Sequence, residues 1–168
     1  MTTNSVRTQV IGAAGEVLVQ YKLLKHSIDS ARMTTDDGID LVMYLPVTRQ
    51  AATVQVKAQW DARPAGGKGE PTRGWSFDVN CPAQWLACVD VSRDRVWLFT
   101  IDEARELAQE KPASGKWKLY WYTDEANVKG SPRREADMGD SEIETVIRRR
   151  LLGESAVAES PTGASCGG

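Results

Sequence analysis

Two neighbouring stretches decide how this chain is read: Asp36-Asp37-Gly38-Ile39-Asp40-Leu41-Val42-Met43-Tyr44-Leu45, and, after Pro46 and a short polar turn, Ala51-Ala52-Thr53-Val54-Gln55-Val56-Lys57-Ala58-Gln59. Ile39 to Leu45 and Ala51 to Gln59 are rich in apolar and β-branched residues and bounded by turn formers, which predicts two consecutive strands. Side chains alternate across a strand. Asp40, Val42 and Tyr44 therefore share one face, opposite Ile39, Leu41 and Met43. On the second strand Ala52, Val54, Val56 and Ala58 lie opposite Thr53, Gln55, Lys57 and Gln59. Gly38 permits a tight entry into the first strand, and Asp36 and Asp37 are expected to shape that turn. Paired as a hairpin, the strands bring Asp40 to Gln55 and Lys57.

Upstream, Val10 to Leu24 reads as a helix, with Ala14, Val17, Leu18, Tyr21 and Leu24 at spacings of three and four. Glu16 lies slightly off that stripe. Gly12 and Gly15 are costly inside a helix and imply close approach of its backbone to a sheet or a ligand. His26 follows the helix end, where a histidine complements the dipole. Downstream, residues 61–74 form a Gly- and Pro-rich stretch bearing Arg63, Lys68 and Arg73, expected to be an exposed, mobile loop. Strands are expected at Trp75–Val79, Leu86–Val91, Arg95–Phe99 and Trp117–Thr123, with Ser92-Arg93-Asp94 as a hairpin connection. Thr100 and Glu103 make a capping box before a helix over 101–110. Ser141 and Glu144 suggest a second box, opening a helix that ends near Leu152 with Arg148, Arg149 and Arg150 in its last turns. Residues 1–152 thus read as one domain and 153–168 as a disordered tail. The order of elements gives an α/β (α+β) fold, a mixed central sheet flanked by helices.

Composition narrows the function. The chain has 168 residues, 41% hydrophobic and 26% charged, with a formal net charge of −2. That balance excludes a binder held to nucleic acid by bulk positive charge. No apolar run approaches the ~18 residues that span a membrane, and the N-terminus lacks a signal-peptide pattern, so a cytoplasmic location is expected. Three cysteines (Cys81, Cys88, Cys166) without C-x-x-C spacing and a single histidine argue against structural zinc. The six tryptophans, from Trp60 to Trp121, are expected to fill much of the core.

Glu16, Asp40, Gln55 and Lys57 carry the chemistry. Glu16 can reach Asp40, Gln55 and Lys57 from a helix laid on the sheet. Two carboxylates and an amide oxygen suit a hard cation such as Mg2+, which keeps waters and shares substrate phosphates. A neighbouring ammonium can orient a water and offset phosphate charge. That set suits phosphodiester hydrolysis.

Gly15-Glu16, Gly38-Ile39-Asp40 and Gln55-Val56-Lys57, followed by Trp85–Val91 and Arg95–Phe99, resemble the PD-(D/E)XK nuclease superfamily, the restriction-endonuclease-like fold. The resemblance covers most of residues 6–110. It implies that Asp40 and the Val56 carbonyl bind Mg2+ (or Mn2+), that Gln55 adds a ligand, that Glu16 contributes from the helix, and that Lys57 positions the water. Gln55 stands where the family usually has an acid. This Gln-x-Lys form is similar to that of intron-encoded homing endonucleases of this fold. Homing, defence or restriction, and junction-resolving enzymes share the core. DNA is the implied partner, with Arg63, Lys68 and Arg73 as candidate phosphate contacts, and a homodimer the implied assembly. Two other readings stand beside it. One is a catalytically silent nucleic-acid-binding or protein-interaction module on the same fold. The other leaves Gln55 and Lys57 on a solvated sheet face.

Overall fold

Helix α1 runs from Thr3 to Leu24 in the computed structural model, which describes residues 3–34 and 37–154. It begins earlier than Val10, the start read from its apolar spacing. Val19 and Leu23 are fully buried against the sheet. Gly15 permits this: a Cβ there would lie 2.6 Å from the Ala58 Cβ, whereas one at Gly12 would meet nothing within 4 Å. The close approach expected for both glycines holds at Gly15 alone.

Among the described residues eight strands follow α1. They are β1 (Ser30–Arg32), β2 (Leu41–Leu45), β3 (Gln50–Gln59), β4 (Arg63–Pro64), β5 (Pro71–Asp78), β6 (Trp85–Asp90), β7 (Arg95–Thr100) and β8 (Lys116–Tyr122). Helices α2 (Ile101–Leu107) and α3 (Ile143–Val146) complete the order. The main sheet is β1-β2-β3-β6-β7, mixed, with β3 parallel to β6 and every other pair antiparallel. The hairpin read from the sequence is present, in the register Leu41↔Val54 to Leu45↔Gln50. A smaller sheet, β4-β5-β8, packs beside it.

Alternation gives the main sheet two apolar faces. Leu41, Met43, Val54, Val56, Val89 and Leu98 face α1, α3 and Leu151. Leu86, Cys88, Trp97 and Phe99 face the smaller sheet and α2. There Trp75, Trp97 and Trp121 form a triangle with ring centroids 4.8–5.7 Å apart, in the tilted and edge-on contacts that aromatic quadrupoles favour. The expected aromatic core therefore rests on three tryptophans. Trp85 and Trp117 are half-buried, and Trp60 is exposed.

The Thr100 capping box is formed: its side chain accepts from the Glu103 N–H, and Glu103 reaches back to the Thr100 N–H. The Ser141 box is not. Ser141 closes a 3₁₀ segment (Glu135–Ser141), α3 starts without a side-chain cap, and Ile147–Leu151 is a wider π turn. Arg73 also departs from expectation. It lies in β5, not on an exposed loop, and is buried against Asp90 and Glu135. Arg93 joins both carboxylates at 2.6 and 2.8 Å, and Arg95 bridges Glu135 to Glu142. This network ties the C-terminal segment to β5, β6 and β7. No described helix is long and apolar enough to cross a membrane. Asp36, Cys166 and the expected tail from 155 onward lie outside the described residues.

Candidate active site

Asp40 sits one residue before β2. Its N–H donates to the Val54 carbonyl at 2.9 Å, and its Oδ2 accepts from the Val56 N–H at 2.6 Å. Backbone polar groups of residues two apart in a strand face the same side. Val54 and Val56 thus both present theirs toward β2, and the Val56 carbonyl does so beyond the last paired residue, Leu41.

Gln55 and Lys57 point away from α1, level with Leu86 and Cys88 of β6. Gln55 is only 6% exposed, so the solvated-face reading does not describe it. Its Oε1 is buried with no hydrogen-bond partner, a state that costs on the order of 1–3 kcal/mol unless something else uses the lone pairs. The amide lies against Gly38, where a Cβ would be 3.6 Å from Gln55 Nε2 and 3.1 Å from Pro82. With φ at +78°, Gly38 makes the tight entry anticipated for it. Lys57 is half-buried and has no hydrogen bond or ion pair among the described residues.

Cys81, buried and donating to the Gly38 carbonyl at 3.5 Å, reports the charges around this corner. Burial pushes its thiol pKa up, Lys57 and Arg105 pull it down, and Asp40 raises it further. Arg105 is a residue that sequence reasoning missed. From α2 it donates to the carbonyls of Val79 (2.9 Å) and Cys81 (3.5 Å), fixing the turn behind Gln55. Beside Asp102 it reads in sequence as an ordinary surface pair.

The structure therefore brings Asp40, Gln55, Val56 and Lys57 to one corner of the sheet, while Glu16 is engaged elsewhere. The Glu16 carboxylate is held by Arg32 at 2.6 Å, with no hydrogen bond to the others. Arg32 is level with Leu41, next to Asp40. Arg63 and Lys68 are exposed, on β4 and just after it. Arg73 is committed to the buried ion network.

Among the described residues no three His, Cys, Asp or Glu side chains group to hold a metal. The available donors are one Asp40 carboxylate, the unpaired Gln55 Oε1 and the Val56 carbonyl, all hard oxygens. They fit Mg2+, which takes one or two carboxylates and completes its shell with water and substrate phosphate.

The main sheet is mixed and five-stranded, with α1 and α3 on one face and α2 and a small sheet on the other, an α+β fold. In particular, the chain is similar in fold to a solved bacterial homing endonuclease, I-Ssp6803I, with a TM-score of 0.55 over 77% of this chain and 84% of that one. The two are 14% identical, so the likeness is one of fold. No family model and no curated protein matches the chain.

Proposed function

We propose that the chain is a metal-dependent DNA endonuclease of the PD-(D/E)XK type in its Gln-x-Lys form. The observation that supports this best is the buried, unpaired Gln55 Oε1 beside an Asp40 carboxylate clamped to the same strand. Asp40, Gln55 Oε1 and the Val56 carbonyl would hold Mg2+ or Mn2+. Bound there, such an ion supplies a Lewis acid that lowers the pKa of a water and offsets charge on the phosphate. Lys57 orients the attacking water and stabilises the extra negative charge of the transition state. Arg105 holds the turn that buries Gln55, and Glu16, tied to Arg32, has an outer, supporting role. Arg63 and Lys68 contact phosphates, and a homodimer would present one site to each strand.

Linear, supercoiled, branched and single-stranded DNA incubated with the protein and Mg2+, Mn2+ or EDTA tests the reading. Cleavage that needs metal and disappears in Asp40→Ala supports it. A second reading, a silent DNA-binding module, is favoured by the lack of a carboxylate at position 55; it predicts binding unchanged by Asp40→Ala and no cleavage.

A further inference from the structure

The end of β3 opens into a groove. Two adjoining clefts of about 610 and 540 Å³ share Ile11, Trp60 and Arg63; Arg7 lines one and Lys118 the other. Trp60 follows Lys57 by three residues, about 10 Å along the strand, and its cleft opens on the α1 side, past the end of β3 from the Lys57 side chain. Of the six tryptophans it alone is exposed, at 44%. Leaving an indole in water forfeits hydrophobic stabilisation that a core position would provide.

Arg32, Arg73, Arg93, Arg95, Arg105, Arg149 and Arg150 are each paired with a carboxylate. Arg7 and Arg63 have no ion pair among the described residues, as is also true of Arg49, Arg133, Arg134 and Arg148, but only these two line the clefts with Trp60. Lys118 is partly engaged, 3.4 Å from Glu110, and Asp61 is the one acid lining the clefts. An aromatic ring sharing a cleft with two guanidinium groups and a single carboxylate is the chemistry that grips a nucleic-acid strand: the cations track phosphates, and the ring stacks a base. A base inside a duplex is already stacked on its neighbours. Only an unpaired one can present its face to Trp60.

We infer that this groove takes an unpaired nucleotide next to the cutting site, with its base stacked on Trp60 and its flanking phosphates on Arg7 and Arg63. The inference rests on the nuclease reading and narrows its substrate class to DNA that is distorted, bubbled or single-stranded near the cut.

Fluorescence anisotropy with labelled oligonucleotides, in EDTA and in Ca2+, tests it by binding and without cleavage. The probes are an intact duplex, the same duplex with a central mismatched bubble, and the single strand. Wild-type protein should bind the bubble about ten-fold more tightly than the duplex, the scale of one stacked base. Trp60→Ala should lose that preference and Trp60→Phe keep most of it, while Arg7→Ala with Arg63→Ala should weaken all probes alike. A 2-aminopurine placed in the bubble should be quenched by wild-type protein, which reads the stack without any variant. Equal affinity for bubble and duplex, a preference that survives in Trp60→Ala, or an unquenched 2-aminopurine would overturn the inference. If duplex binding and metal-dependent cleavage persist in that case, the nuclease reading stands; if no probe binds, both fall.

Discussion

The Val56 N–H donates to Asp40 Oδ2 at 2.6 Å, so the carboxylate before β2 is pinned to the strand that carries Gln55 and Lys57. Beside that clamp the buried Gln55 Oε1 is left without a partner. A protein that keeps an unpaired buried acceptor loses stability for it. Gln55→Met, similar in shape and lacking the acceptor, should raise stability by about 1 kcal/mol in urea unfolding. On the proposed reading Mg2+ should raise the wild-type thermal midpoint by binding the folded state, and Gln55→Met should abolish that rise. A Gln55→Met variant less stable than wild type, yet still stabilised by Mg2+, would contradict this role.

The two glycines of α1 should respond with opposite signs. Gly15→Ala forces a methyl to 2.6 Å from Ala58 and should cost about 1–3 kcal/mol by overpacking. Gly12→Ala meets open space and should stabilise by roughly 0.5–1 kcal/mol through helix propensity. Urea midpoints of the two variants decide the matter.

Glu135 is buried among Arg73, Arg93 and Arg95. Glu135→Gln leaves three guanidinium groups short of a charge and should destabilise by about 3–5 kcal/mol. The C-terminal segment should release first. Hydrogen exchange should show protection lost across 135–151 before the main sheet opens.

Glu144 predicts a pH dependence. Burial raises its carboxyl pKa, but Lys22 at 2.6 Å and a backbone hydrogen bond lower it more, leaving it below the ordinary glutamate value. A depressed folded-state pKa means the stabilisation is present above the unfolded value and lost as pH falls through the folded one. The stability gap between wild type and Glu144→Gln should therefore be constant near neutrality and close as the pH falls below about 4. A gap that widens toward acid would refute the pairing.

Much of the site was legible because it is local. The β2–β3 hairpin, the Gly38 turn and the shared face of Gln55 and Lys57 follow from strand alternation within about twenty residues. The Thr100 capping box is likewise written in four consecutive residues. What was misread depends on distant partners. Arg73 looked like a loop cation because Gly, Pro and charge surround it, yet β8 pairs with its strand and Glu135, 62 residues on, buries it. Gln55 could not be known as buried, since its cover comes from Gly38 and Pro82 and from the turn that Arg105 holds. Ser141 carries the spacing of a capping box, but the preceding 3₁₀ segment extends through it, so its hydroxyl does not cap α3.

On the proposed function, Asp40 and Lys57 act together in metal-dependent phosphodiester hydrolysis. The most direct measurement is the rate of DNA cleavage in Mg2+ by wild type, Lys57→Ala and Asp40→Ala, with DNA binding measured on the same preparations. Each variant should bind DNA but cleave it at least about a hundred-fold more slowly. Cleavage by Lys57→Ala at the wild-type rate would contradict it.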